Sequence, residues 1–307
     1  MMVTSLKVPV LFLIFNRSDT TQLVFNEIRK AQPAQLFIAA DGPRKDRPED
    51  IENCRKVREI IRQVDWDCSV STLFRDENLG CKRGVSSAID WFFSHVDEGI
   101  ILEDDCVPDP SFFPFCQELL ERYRDDERIM VISGDNLQFG RRKSQYSYYF
   151  SRCFHLWGWA TWKRAWDNYD IKMELWPKIK ETGRLKDILH DPNAEKYWEI
   201  IFNDTYNNKN DTWDYQWVFS CWIQGGLSIV PNNNLISNIG FNCSATHTTR
   251  DSPFSKMIVE KIEFPLNHPE YIIRDATADQ FEEKIEHSNS GLIKKISGII
   301  VKFLTIK

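Results

Sequence analysis

No glycine-rich phosphate loop occurs in the 307 residues. Neither GxGxxG nor GxxxxGK[ST] is present, so neither a dinucleotide fold nor a P-loop ATPase is supported. There is no GxSxG elbow, which removes the usual strand-to-helix serine nucleophile. Positive charge is in deficit: 39 Lys and Arg face 45 Asp and Glu, a net charge of -6. Nucleic-acid partners are therefore not expected, because phosphate backbones select clustered cations. The eight cysteines are scattered without CxxC or metal-type pairing and read as free thiols in a reducing compartment. No secretory signal precedes the first strand, and the apolar run from Val8 to Phe15 is too short to span a bilayer.

What is present is an alternation of strand-like and helix-like segments. Val8 to Phe15 is a continuous apolar strand of the kind covered on both faces in a parallel sheet. Asp19 is placed to cap the next helix, with Leu23, Val24 and Ile28 on one face. Leu36 to Ala40 is a second strand ending in Asp41-Gly42-Pro43. A charged helix follows, its stripe Val57, Ile60, Ile61 and Val64. Cys68 to Phe74 is a third strand; Asn78-Leu-Gly80 opens a helix with Val85, Ala88, Ile89 and Phe92 inward. The fourth strand, Gly99 to Leu102, breaks into Glu103, Asp104 and Asp105. Four such units in roughly a hundred residues define an α/β class with a mostly parallel central sheet flanked by helices.

In a parallel sheet the polar strand ends fall on one edge. Asn16-Arg17, Asp41-Gly42, Arg75 to Gly80 and Glu103 to Asp105 therefore converge where open α/β folds bind their ligands. Adjacent carboxylates repel and are costly to desolvate, so a site that collects them usually supplies a cation. The plainer alternative for the acidic triplet is a solvated loop. Asn78, Lys82 and Arg83 open the helix after the third strand, where amides and cations can meet an anion; solvated helix charge is the alternative.

Beyond a further strand, Ile129 to Gly134, the pattern becomes aromatic-rich and weakly periodic, with five of the eleven tryptophans between Trp157 and Trp176. Asp191 to Asn207 and Trp213 to Gln224 read as helices, and Leu227 to Val230 and Leu235 to Ile239 as short strands. The expected division is a domain over 1–275, with a donor half at about 6–135 and an acceptor half at about 136–250, followed by a tail at 276–307. Within the tail, 291–307 carries an apolar stripe at 292, 293, 296, 299, 300, 303 and 304 with four lysines and no acid. Such a basic amphipathic helix fits a membrane surface equally with a dock on its own domain or a partner. The expectation is a cytoplasmic protein, peripheral at the inner face of the plasma membrane if the tail binds lipid.

These features resemble the GT-A glycosyltransferases, and most closely the beta-1,2-N-acetylglucosaminyltransferase family that starts complex N-glycan branching. The matching residues are Val8-Pro-Val-Leu11 with Asn16-Arg17, Asp41-Gly42, and Leu102-Glu-Asp-Asp105 with Pro110-Ser-Phe-Phe113. Phe154-His-Leu-Trp-Gly-Trp159 is similar to that family's acceptor-side segment, and Trp213-Asp-Tyr-Gln-Trp217 to its Trp-Asp-Asp-Trp. The chain also looks like bacterial nucleotide-diphospho-sugar transferases. The resemblance covers about residues 6–250 and implies a UDP-sugar donor, N-acetylglucosamine or a near relative, with Mn²⁺ or Mg²⁺ as cofactor. It implies a surface glycan or lipid-linked glycan as acceptor and an inverting outcome. By position it implies nucleotide contacts from Arg17 and Asp41, ribose and sugar contacts from Glu103 and Asp104, and metal ligation by Asp105. Asp214 would be the catalytic base, and His247 would reach the metal or diphosphate.

Each role has a rival. Asp214 is also what a helix start favours. Arg17 could pair with an acid, and a lone histidine such as His247 is commonly structural. Trp157, Gly158, Trp159 and Trp213 would form the acceptor side, although most tryptophans fill cores, and Gly158 suggests a close backbone approach. Departures also stand: Pro43 replaces the family's cysteine, and Asn16 its aspartate. A non-catalytic nucleotide-sugar or glycan-binding module of the same fold is the alternative. A sugar-phosphate nucleotidyltransferase, which needs a glycine-rich first loop absent here, ranks last.

Overall fold

The computed structural model describes residues 6–142, 144–189, 191–240 and 257–287. The first half follows the strand–helix alternation: β1 (Val10–Ile14), α1 (Ser18–Ala31), β2 (Gln35–Ala40), α2 (Glu49–Arg58), a 3-10 turn (Glu59–Gln63), β3 (Ser69–Phe74), α3 (Gly80–Phe93) and β4 (Glu98–Glu103). After it come β5 (Cys106–Pro108), α4 (Phe112–Arg122), β6 (Ile129–Ser133), β7 (Tyr148–Ser151) and β8 (Trp159–Trp162). The helices α5 (Lys163–Trp166), α6 (Trp176–Glu181), α7 (Leu185–Ile188), α8 (Pro192–Tyr206) and α9 (Asp214–Ile223) follow. Then come β9 (Leu227–Pro231), β10 (Ile236–Asn238) and α10 (Ala276–His287).

Eight strands form one sheet in the order β3-β2-β1-β4-β8-β6-β9-β7, and β5 pairs with β10 in a separate ribbon. Four of the seven pairings in the main sheet are parallel and three antiparallel. The continuous apolar character of β1 now has its cause. Val10, Phe12 and Ile14 enter the core on one face, while Leu11 and Leu13 enter the core on the other. Both faces are covered by helices, so each residue of the strand is buried.

The tryptophan-rich stretch builds the second of these cores. Trp159, Trp166, Trp213 and Trp217 pack together, and Trp176, Trp198 and Trp222 extend the cluster around Phe202 and Phe219. β7 and β8 lie within the stretch that reads as weakly periodic, because their four residues are buried on both sides and show no alternation.

Two local expectations are corrected. Asp19 does not cap α1: it lies in the first turn, Arg17 holds the capping position, and no side chain caps the helix. Leu23 is 51% exposed, and Thr20, Thr21 and Phe25 join Val24 and Ile28 on the buried face instead.

Helix α10 begins where the sequence places the tail, and it packs on β7 and α8. Its buried face carries three acids, Asp279, Glu282 and Glu283, beside Ala278 and Ile285. Glu282 accepts hydrogen bonds from Gln138 Nε2 (2.6 Å) and the Tyr149 hydroxyl (3.3 Å), and pairs with His155 Nε2 at 2.9 Å. Asp279 accepts from Ser151 Oγ at 2.6 Å, and Glu283 pairs with Arg152. Burial opposes ionisation of Glu282, but His155 and Gln138 outweigh it and hold the carboxyl below its usual range. Glu282→Ala would leave these buried donors uncompensated. It is expected to destabilise the fold by about 3–5 kcal/mol, read as a lower urea midpoint with an unchanged slope. The amphipathic 291–307 segment lies outside the described residues. Among the described residues no helix is long and apolar enough to cross a membrane.

Candidate active site

The strand order reverses between β1 and β4, because β2 and β3 extend the sheet on one side of β1 and β4 lies on the other. Open α/β sheets bind ligands at such a reversal, beyond the C-terminal strand ends. Arg17 follows β1 there, and Asp104 and Asp105 follow β4. One terminal nitrogen of Arg17 bonds Asp104 Oδ1 and lies 3.0 Å from Asp105 Oδ2, so the pair closes across the reversal. Burial alone would lower the Arg17 pKa; the two carboxylates outweigh it and keep the guanidinium charged.

Among the described residues, Arg17 alone does not balance the acids of this cluster. Desolvation, with repulsion from Asp105, Asp104 and Asp214, raises Glu103 to about 8. Asp104, 4% exposed, is raised to about 7 by burial against the opposing pull of Arg17. Among the described residues its Oδ2 is buried without a hydrogen-bond partner. Both acids thus hold protons more tightly folded than unfolded, where carboxyls titrate near 4. The sign follows: the folded state binds more protons between about pH 4 and pH 8, so these acids erode stability as pH rises through that window. The melting temperature is expected to be several degrees lower at pH 8 than at pH 6, with the drop reduced in Asp104→Asn. A pH series of thermal melts on both proteins checks it.

Among the described residues no three His, Cys, Asp or Glu side chains converge to hold a metal ion by themselves. A cation that takes one carboxylate and completes its shell with phosphate oxygens and water needs no such trio. The excess negative charge and the orphaned Asp104 oxygen fit that kind of cation. The β5–β10 ribbon brings the chain back to the acids: Ile239 donates its amide to the Asp105 carbonyl at 2.8 Å. A Cβ on Gly240 would sit 2.3 Å from Asp105 Oδ2, so a larger residue would push that carboxylate aside. His247 lies outside the described residues.

Asp214 stands at the first turn of α9 and is half-buried. Thr212 Oγ1 and the Tyr215 amide (2.9 Å) both donate to its Oδ1, and among the described residues none donates to Oδ2. Its charge adds to the rise of Glu103, so the two carboxylates lie within electrostatic reach of each other.

Other predicted site residues are engaged by their own chain. Asp41 accepts the amides of Gly42 (3.0 Å) and Leu79 (3.0 and 3.1 Å), so both of its oxygens organise the loop after β3. Burial raises its pKa against those bonds and the charge of Arg75. Asn78 donates to the Gly42 carbonyl at 3.0 Å and accepts from Gly80, tying the two loops together. Asn16 donates to Asp50 at 2.6 Å rather than facing the cleft. Arg83 is exposed on α3. The anion at the α3 N-terminus is supplied internally, by Asp211.

On the acceptor side, Trp159 and Trp213 are 0% and 3% exposed and stack on each other at 5.6 Å, so neither offers a face to a sugar. Gly158 has φ +68°, and a Cβ there would lie 2.6 Å from Ile236; the close approach is to the core, not to an acceptor. Trp157, half-buried beside Gly158, retains partial access. Asp135 escapes the sequence reading although it too ends an apolar strand. It is 2% exposed, raised to about 7 by burial against the pull of His155, and its Oδ1 has no partner among the described residues. Its charge reaches Cys106, placing it on the same sheet edge as the acids.

No protein-family profile matches the chain, and no curated protein matches it. Among solved structures it is similar to HddC from Yersinia pseudotuberculosis (9% identity, TM-score 0.29), over 42% of this chain and 58% of HddC. It is also similar to the inositol-1-phosphate CTP transferase from T. maritima (10% identity, TM-score 0.37), over 74% of this chain and 86% of that one. Likeness at this level fixes no activity, and the functional reading rests on the site.

Proposed function

We propose that the protein is a metal-dependent glycosyltransferase of the GT-A type that moves a sugar, with inversion, from a UDP-sugar to a hydroxyl of a surface glycan or lipid-linked glycan. The observation that carries this reading is the Arg17–Asp104–Asp105 cluster at the strand-order reversal, with Asp214 within electrostatic reach of Glu103. Asp105 would hold Mn²⁺ or Mg²⁺, whose charge would stabilise the leaving diphosphate. Arg17, a planar fork of donors, suits phosphate or base oxygens once the nucleotide is bound. Glu103 and Asp104 would contact ribose and sugar hydroxyls, Asp104 only once the bound nucleotide draws Arg17 from it.

Asp214 Oδ2 takes the proton of the acceptor hydroxyl as that oxygen bonds to the anomeric carbon. The bond from that carbon to the diphosphate oxygen breaks with its electron pair leaving on UDP. Attack opposite the leaving group inverts the anomeric centre. Incubation with a panel of nucleotide sugars, with and without Mn²⁺, tests the reading. Thermal stabilisation and slow metal-dependent hydrolysis confined to UDP-sugars is the expected result; the same response to every nucleotide, or to none, would reject it.

A further inference from the structure

We propose that Asp211 is the positioning residue that fixes Asp214 against the donor site, an inference that rests on the reading of Asp214 as the base. Asp211 lies in the loop between α8 and α9, yet its carboxylate grips the start of α3. Its Oδ2 accepts the Cys81 amide at 2.9 Å and its Oδ1 the Lys82 amide at 3.0 Å. The first amides of a helix have no partner within the helix and carry partial positive charge, so a carboxylate in this position is held firmly. Here the carboxylate comes from about 130 residues further along the chain.

Three further observations show that the contact is built into the fold. Gly80 has φ +75°, and a Cβ on it would fall 2.5 Å from Asp211 Oδ2, so the turn before α3 is shaped to admit this carboxylate. Lys82 adds a second tie, its Nζ donating to Asn208 Oδ1 at 3.0 Å. Between anchor and base there are only two residues, Thr212 and Trp213. The Thr212 hydroxyl bonds Asp214 Oδ1, and the Thr212 carbonyl accepts from Gln216 Nε2 at 2.8 Å within α9. Displacement of Asp211 is therefore transmitted through a short, hydrogen-bonded segment to the carboxylate of Asp214.

The contact joins the two halves of the site. α3 follows β3 on the donor side, whereas α9 carries the base. Cys81, at the junction, senses Glu103, Asp214 and Asp211 together: burial raises its thiol pKa and these three charges add to the rise. Asp211 is itself exposed, so it is not part of the hydrophobic core that holds Trp213. Its loss would leave Trp213 stacked on Trp159 while loosening the polar edge of the loop. A misplacement of about 1 Å at a catalytic group can lower a rate about 100-fold.

The test is a double-mutant cycle on the full chain, read as hydrolysis of the UDP-sugar that the panel selects and as the Kd for UDP with Mn²⁺. Asp211→Ala is expected to lower turnover about 10- to 100-fold with the Kd within about twofold. In the Asp214→Asn background the same change should cost almost nothing, because the group it positions is gone. Asp211→Asn, which keeps one acceptor for the two amides, should fall between wild type and Asp211→Ala. Unchanged turnover in Asp211→Ala, an equal loss in both backgrounds, or a parallel rise in Kd would overturn the proposal. Absence of both UDP binding and turnover in the wild type is a different result: it rejects the glycosyltransferase reading and this inference with it.

Discussion

Asp214→Asn is expected to lower sugar transfer by about 10²–10⁴-fold while UDP binds within about twofold of wild type. Asparagine keeps the shape of the side chain and can still accept from Thr212 and the Tyr215 amide, the two donors on Oδ1. What it loses is the proton affinity of the second oxygen. The ion pairs of the donor-side cluster are kept, because Arg17 binds Asp104 and Asp105 and not Asp214, and Glu103 loses only the repulsion of that charge. The effect therefore belongs in turnover. If Asp214 were only a helix-start acid, the substitution would cost a few tenths to about 1 kcal/mol of stability and leave the rate alone. Steady-state kinetics beside a thermal melt separates the two roles.

Asp105→Ala has the opposite signature. It removes the proposed direct metal ligand, and UDP affinity in the presence of Mn²⁺ is expected to fall at least about 100-fold. Loss of a group that merely orients a ligand already costs about 10–100-fold. Arg17 retains Asp104 as a partner, so the fold should survive. The variant should also lose the difference between buffers with Mn²⁺ and with EDTA. Normal metal-dependent binding would reassign the cation to another residue, and Asp104 with its unpartnered oxygen would be the first alternative.

The donor half of the fold was legible because both its signals are local. A parallel sheet covered on two faces needs unbroken apolar strands, and the strand ends must be polar; β1, β2 and β4 satisfy both conditions. Arg17, Asp104 and Asp105 were reached by that logic. Asp214 was singled out only through family resemblance, since no local pattern links it to acids more than a hundred residues earlier. Three features could not be read in advance. The capping of α3 by Asp211 is a tertiary contact without a sequence period. The docking of α10 uses acids paired with Arg152 and His155, which hydrophobic patterning counts as a solvated face. The aromatic segment was placed on the acceptor side by resemblance, with core packing as its rival, and Trp159 and Trp213 pair with each other in the core. Asp135 was within reach, because it ends an apolar strand as the other site residues do.

The central claim is that the acids beyond β4 hold a cation together with a nucleoside diphosphate. Isothermal titration of UDP into the wild-type protein at pH 8, once with Mn²⁺ and once with EDTA, addresses it most directly. Saturable binding with Mn²⁺ and its loss in EDTA is the expected result; equal heats in the two buffers, or none in either, would contradict the claim.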